Sequence, residues 1–200
     1  MIILDIINEV CDVAKHDRFD IVYGNADPDA QTMLSLAKDA GDEISRRVDW
    51  RKLIKQEVLL ASPSDLPEDF QRVYPGGAVI TSAGEFVRPV TNEGQWAVVS
   101  AIPSAQPYFY LSSTGISVSP PSAAVNAALL YISTGWIKHD DTTTGVEFTG
   151  DDDEPVFPSE LLQKGLLWRW RRQKGYSYDD HLAEFEADLD QQAKADRGVA

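Results

Sequence analysis

The sequence predicts an α+β protein in which both chain ends form one helical bundle and an antiparallel β domain is inserted between them. Apolar residues recur at helical spacing before residue 50 and again after residue 155. Between these stretches, short β-branched and aromatic runs alternate with Pro, Gly and Ser. Neither pair of terminal helices could bury its apolar stripe alone. We therefore expect residues 1–50 and 155–196 to form the helical bundle domain and residues 51–154 the β-rich insertion.

Two helices are predicted at the start of the chain. The first carries a stripe of apolar residues at three- and four-residue steps that ends near His16. The second covers residues 28–49, with Asp27 as N-cap and Pro28 at the first helical position. Its apolar side chains fall within one narrow arc, which indicates a helix with one buried face.

Strands are predicted in the middle of the chain over residues 53–61, 78–82, 108–112, 116–119 and 124–138. The last of these has apolar residues at both alternating positions, which is typical of a strand buried on both faces. A short helix is predicted over residues 92–99. These elements make up the inserted β domain.

Two more helices are predicted after the insertion. Apolar residues surround the first, over residues 158–174, and Gly175 is its expected C-cap. Ser177 and Asp180 have the spacing of a capping box for the last helix, which carries the apolar stripe Leu182, Phe185 and Leu189. Residues 197–200 are expected to be a flexible C-terminus.

Composition and charge limit the classes of function. The formal net charge is −14, which argues against a surface that binds DNA, because affinity for phosphates comes mostly from Lys and Arg. A single cysteine, Cys11, leaves no disulfide framework and fits a reducing cytoplasm. The N-terminus lacks the pattern of a signal peptide, and no stretch has the length of a membrane span. These features predict a soluble protein.

An acid-free block over residues 165–178 is the densest binding signature of the chain. Trp, Tyr and Arg dominate protein-protein hot spots, so its polar members are candidates for a partner interface: Arg169, Arg171, Arg172, Lys174 and Tyr176. The alternative is that these cations offset the helix dipole or pair with the acidic last helix. The apolar wheel favours a core role for a second set, the core anchors: Trp168, Trp170, Leu182 and Phe185.

A second basic cluster ends the second helix and enters the first strand. It contributes four more candidates for contact with the acids of an adjacent subunit: Arg46, Arg47, Arg51 and Lys52. The alternative is again dipole compensation on a solvated face.

No pattern in the sequence predicts catalysis or metal binding. The acidic run over residues 151–154 lacks the ligand spacing of an EF-hand loop, and His139 lacks a second histidine at metal-binding spacing. Adjacent carboxylates in a Thr- and Gly-rich loop are usually solvated. There is no phosphate-binding loop, and no histidine accompanies a serine or cysteine motif. We predict no catalytic residue, no metal, no cofactor and no enzyme activity.

Several segments, in order, resemble phage head-to-tail adaptor proteins, a family also called connectors and shared by tailed phages and gene transfer agents. Residues 27–50 resemble the family's long helix, and residues 66–70 with Arg72, residues 131–136 and residues 161–175 are also similar. The resemblance extends over nearly the whole chain. Residues 75–102 depart from the family pattern, in which a longer Trp- and Arg-rich stretch is common.

The resemblance implies a structural virion protein that forms a ring, usually of twelve copies, in the phage neck. It implies two protein partners, the portal protein and a tail, nozzle or tail-terminator protein, with a central channel for non-specific passage of double-stranded DNA. It implies no membrane partner, and assembly in the host cytoplasm. The alternative from another class is a cytoplasmic hydrolase or small-ligand binding module with its site in the β insertion, around Trp96, Tyr108 and Trp136.

Overall fold

The chain divides into two units in a computed structural model that describes residues 1–102, 104 and 106–198. The first unit contains residues 1–53 and the chain from Thr134 onward, and the second contains Ile54–Ser133. Residues 134–154, which we assigned to the insertion, therefore lie in the unit that holds both chain ends. Of the C-terminus predicted to be flexible, Arg197 ends a helix and Gly198 follows it, whereas residues 199–200 lie outside the described residues.

Four helices belong to the first unit. They are α1 (Ile3–Ala14), α2 (Pro28–Arg47), α4 (Ser159–Gln173) and α5 (Asp179–Arg197). Helix α4 packs against α1, α2 and α5. A Cβ added at Gly165 would lie 3.1 Å from Ala40 Cβ on α2 and 3.3 Å from Phe185 Cε2 on α5. The absence of a side chain at Gly165 therefore allows these three helices to approach closely.

Sequence signals set the beginning of α2 as predicted. The Asp27 carboxylate accepts hydrogen bonds from the backbone N–H of Asp29 at 2.7 Å and of Ala30 at 3.4 Å. The helix ends at Arg47 rather than at residue 49, because Val48 adopts an extended conformation and is buried.

The capping box predicted for α5 is wrong. Helix α5 begins at Asp179, its N-cap is Tyr178, and no side chain caps it. Because the helix starts two residues after Ser177, that residue is outside the cap position. Its carbonyl accepts instead from Arg171 Nε at 2.7 Å.

A small antiparallel sheet also belongs to the first unit. Strand β9 (Ile137–Lys138) lies between β10 (Thr144–Gly145) and β11 (Glu154–Pro155). The long strand predicted over residues 124–138 is therefore interrupted, with β8 (Ala127–Ser133) in the second unit and β9 in the first. Between these two strands, Trp136 is fully buried and its ring lies against Gly41 on α2. A Cβ added at Gly41 would lie only 2.1 Å from Cη2 of Trp136.

The second unit contains two sheets. In the first, β8 is central and pairs antiparallel with β1 (Ile54–Leu59), β3 (Phe70–Val73) and β4 (Val79–Ile80). The order of the second sheet is β2 (Ser64–Asp65), β7 (Gly115–Ser119), β6 (Tyr108–Leu111) and β5 (Arg88–Val90). The apolar core of the second unit includes residues from both sheets, among them Leu59, Val79, Phe109, Ile116 and Leu129.

The prediction of a purely antiparallel insertion is wrong, because β5 pairs with β6 in parallel. Parallel neighbours need a crossover connection, which is usually a helix. Helix α3 (Glu93–Ala101) lies between these two strands in the chain and supplies that connection. The Asn92 side chain caps it by accepting from Gln95 N at 3.2 Å.

Candidate partner interface

The aromatic and basic block occupies the second half of α4 and the turn that follows it. Trp168 is 9% exposed, Trp170 is 2% exposed and Phe185 is fully buried, whereas Leu182 is half-buried. The Trp170 ring meets the His16 ring edge-on, with 5.9 Å between centroids. The tryptophans thus face the interior of the first unit, and only the residues around them are accessible to a partner.

Arg169 is held inside its own chain. Its side chain is 10% exposed, its guanidinium lies 4.2 Å above the Trp168 ring, and Nη1 donates to Gly165 O at 2.8 Å. Nη2 forms an ion pair with Glu43 on α2. Burial lowers the pKa of Arg169, and the nearby Glu43 charge opposes that effect. This arginine connects α4 to α2 and offers little surface to another protein.

Lys174 also has a partner within the chain. Its Nζ lies 2.8 Å from Asp29 Oδ1 and 4.4 Å from the centroid of the Trp170 ring. His16 Nε2 lies 3.1 Å from the other oxygen of Asp29. The bond from Lys174 is the main cause that lowers the pKa of Asp29. The pKa of His16 is raised, first by the Asp17 carbonyl that its ring contacts and then by Asp29.

Two of the outer members of the block, Arg172 and Tyr176, are exposed, and Arg171 is half-buried. Tyr176 is 60% exposed, and the Arg171 guanidinium lies 5.8 Å from its ring centroid. Arg172 is exposed and makes no ion pair with any of the described residues. We call Arg171, Arg172 and Tyr176 the outer strip. Its side chains are available for contact with another protein.

The second basic cluster has the same division between paired and exposed cations. Arg47 donates to Glu43 at 2.9 Å and to Glu186 on α5 at 2.7 Å. The bond to Glu186 is the main cause that raises the pKa of Arg47. Arg46, Arg51 and Lys52 are exposed, and none of their side chains makes an ion pair within the part of the chain that the structure describes.

The two basic clusters meet at Glu43, which pairs with both Arg169 and Arg47, but their other members lie further apart. Lys174 contacts Asp29 at the start of α2, whereas Arg47 is the last residue of α2. A rise of 1.5 Å per residue separates those positions by about 27 Å. Lys174 and Arg47 therefore lie at opposite ends of α2.

Sequence reasoning missed the ion network that links α2, α4 and α5. Glu43 accepts from both Arg47 and Arg169, and Glu186 accepts from Arg47. The spacing of Glu43 and Arg47 at i and i+4 was a usable signal for the first pair. The contacts between helices could not be read from spacing, since Arg47 and Glu186 are distant in the chain.

Adjacent carboxylates in a Thr- and Gly-rich loop are usually solvated, but two acids of residues 151–154 bind their own chain. Asp153 is 3% exposed and accepts from Thr149 N at 2.5 Å and Gly150 N at 3.1 Å, and its Oδ1 lies 2.7 Å from His139 Nδ1. Asp151 Oδ1 accepts from the backbone N–H of Val22 and of Tyr23, at 3.0 and 2.7 Å. These two carboxylates order the loop between β10 and β11. Asp152 is exposed.

The residues of the alternative ligand site belong to different units. Trp136 is fully buried in the first unit and donates from Nε1 to Asp42 Oδ1 at 2.8 Å. Trp96 stacks on Tyr110 in the second unit, with 5.7 Å between centroids. An open groove of about 640 Å³ lies beside Tyr108 and the exposed Val98.

Among the described residues, no group of three or more His, Cys, Asp or Glu side chains is arranged to hold a metal ion. No described helix combines the length and apolar character that a bilayer span requires.

The first unit is rich in helices and carries exposed cations in both basic clusters. Such exposed cations are suited to binding other proteins. A family model described as SU10 adaptor protein matches residues 1–200, the whole chain. The chain belongs to the SU10 adaptor protein family, a family of phage head-to-tail adaptors. A search of the curated proteins finds no match.

Membership assigns a structural role in the phage virion, as the sequence resemblance predicted. The family docks with portal and tail components and belongs to the virion neck. It also suggests a structural rather than a catalytic role.

Proposed function

We propose that this chain forms a ring of twelve copies between the portal and the tail of a phage, with a channel for double-stranded DNA at its centre. The observation that carries the proposal is the match of the adaptor family model to the whole chain. In this proposal the chain assembles in the host cytoplasm and ends in the virion neck. The helices of both chain ends form one bundle, and the β-rich unit is an insertion in it.

Charge supports the channel. The formal net charge of each copy is −14. A ring of such chains presents few groups that hold phosphates, and DNA passes an acidic wall without the salt-dependent contacts that a basic wall would make.

Exposed cations support the protein contacts. Arg172 in the outer strip and Arg46, Arg51 and Lys52 in the second basic cluster form no ion pair within the described chain, although the chain as a whole is acidic. A subunit inside a ring needs at least two different contact surfaces, because a head-to-tail interface uses a different patch on each side. We propose these two surfaces as contact sites with neighbouring copies, the portal or the tail protein.

Mass measurement with purified portal rings from the same phage tests the proposed function. We expect single-particle mass photometry to show portal rings gaining mass in multiples of the 22.1 kDa chain, up to twelve copies. A chain that remains monomeric and leaves the mass of the portal ring unchanged would overturn the proposal.

A further inference from the structure

Trp168 has a buried donor without a partner. Its indole Nε1 is inaccessible to solvent and has no hydrogen-bond acceptor among the described residues. The residue as a whole is 9% exposed, so it lies at the edge of the core rather than at its centre. Buried polar groups are nearly always paired, and leaving one unpaired costs the desolvation of that group. The N–H of Trp168 is therefore suited to an acceptor that another molecule supplies.

Two arginines of α4 lie close to Trp168. Arg172 is four residues further along α4, on the same helix face as Trp168, and is exposed without an ion pair among the described residues. Its charge also acts on Arg169, whose guanidinium covers the Trp168 ring. A group that both accepts a hydrogen bond and carries negative charge would satisfy the N–H and the arginine together. A carboxylate has both properties.

The first unit itself carries exposed carboxylates of this kind. Asp140, Asp141 and Asp152 line one open concave surface of about 380 Å³ in the loop around β9 and β10. Asp140 and Asp152 are exposed and have no ion pair in the described chain. The buried Asp153 and its bonds to Thr149 and Gly150 hold this loop in place. We call these three aspartates the acidic surface.

The acidic surface and the outer strip lie at opposite ends of α1. The acidic loop binds the first turn of α1, where Ile3 N donates to Asp153 O at 2.8 Å and Leu4 N donates to Asp151 O at 3.3 Å. At the other end, His16 follows α1 and contacts Trp170. The 12 residues of α1 span about 18 Å, so one chain cannot bring these two surfaces together.

We infer that the acidic surface of one copy binds the outer strip of the next, with an aspartate carboxylate placed between Arg172 and the Trp168 N–H. This inference rests on the proposed ring, because a contact between two different patches is head-to-tail and builds rings or filaments rather than two-fold dimers. The Trp168 nitrogen is covered, so binding displaces an overlying side chain. Tyr178, whose ring lies 6.2 Å from that of Trp168, is the neighbour placed to move.

Carbodiimide cross-linking of the full chain tests the contact. Arg172→Lys keeps the charge and supplies an amine that the reagent joins to a carboxylate in contact with it. We expect mass spectrometry to find position 172 linked to Asp140, Asp141 or Asp152, with a yield that rises with protein concentration and on portal rings. The length of α1 makes such a link intermolecular. Links to other acids only, or no link, would overturn the inference.

Charge exchange gives a second test. We expect Arg172→Glu and Asp152→Arg each to weaken self-association at least tenfold in sedimentation experiments, and the double variant to recover most of it. Arg46→Glu is the matched control, because Arg46 is equally exposed and unpaired among the described residues but lies at the far end of α2. Equal loss in the control, or no recovery in the double variant, would count against the contact.

Replacement of the Trp168 indole by benzothiophene, introduced as the amino acid 3-benzothienylalanine, separates the hydrogen bond from packing. A sulfur atom takes the place of the N–H in an aromatic side chain of nearly the same shape. We expect the melting temperature of the monomer to stay the same or rise, while cross-linking through position 172 falls several-fold. A less stable monomer with unchanged cross-linking would assign the N–H a role within the chain.

Portal binding keeps this inference distinct from the proposed function. If single copies still bind portal rings but the cross-links and the charge exchange fail, the inference is wrong and the adaptor function stands. If the wild-type chain ignores the portal, the proposed function is wrong. Self-association and cross-linking in the absence of portal then still decide whether copies meet through these surfaces.

Discussion

The inner and outer halves of the aromatic and basic block use similar residue types for different purposes. In the inner half, Trp168, Arg169 and Trp170 are nearly covered, and Arg169 has a carboxylate partner on another helix. In the outer half, Arg172 and Tyr176 are exposed. An arginine beside a tryptophan is therefore a candidate for partner binding only where its own chain does not already cover and pair it.

The largest expected effect of a substitution within the block is on the inner half. Trp170→Ala removes a side chain that is 2% exposed, and truncation of a buried aromatic residue costs about 3–5 kcal/mol. We expect the free energy of unfolding, measured with urea, to fall by that amount. Tyr176→Ala is the control in the outer half and should change it by less than about 0.5 kcal/mol. Equal losses for the two variants would remove the distinction between the halves.

A smaller effect is expected from the buried arginine. Arg169→Met keeps much of the apolar stem but removes the ion pair with Glu43 and the bond to Gly165 O. Because Glu43 retains Arg47 and is partly exposed, we expect a loss of about 2 kcal/mol, below the usual cost of breaking a fully buried pair. The matched variant Arg172→Met should leave unfolding nearly unchanged. Urea denaturation of both variants measures the difference.

The smallest effect concerns pH at the junction of the two halves, where His16 and Lys174 share Asp29. The folded-state pKa of His16 is raised above its ordinary value of 6.5. Its charge therefore stabilises the fold below pH 6.5, and this contribution is lost as the pH rises through the folded pKa. The pKa of Asp29 is lowered, so it stays charged over this range.

A pH series on two proteins measures that contribution. We expect the wild type to lose less than about 1 kcal/mol relative to His16→Asn between pH 5.5 and 8.5. A constant difference between the two proteins across this range would contradict the role of His16.

Local patterns predicted the helices better than the sheets. The Asp27 and Pro28 pair located the start of α2, and the apolar wheel located α4 to within a residue or two. Strands β2, β3 and β5 escaped prediction because two to four residues held by partners elsewhere in the chain leave no periodic pattern. The parallel pairing of β5 and β6 likewise depends on a connection through α3.

The candidate site was only partly predictable for a similar reason. Sequence identified the tryptophans and arginines of α4, but whether an arginine is paired depends on a partner such as Glu43, distant in the chain. The buried Asp153 was hidden in a run of similar acids, although it accepts two backbone N–H bonds and lies against His139. Charge patterns name the residue types at an interface, whereas packing decides which of them remain accessible.

The space that Gly41 leaves for Trp136 links two positions that are far apart in the chain. Glycine within a helix costs about 1 kcal/mol relative to alanine, yet a methyl group at this position would overlap the Trp136 ring. Substitution at either position alone is therefore constrained, while a joint change to a larger residue at 41 and a smaller one at 136 preserves the packing. Natural variants of this chain should show these two positions changing together, which gives sequence surveys a sensitive marker of the α2 packing arrangement.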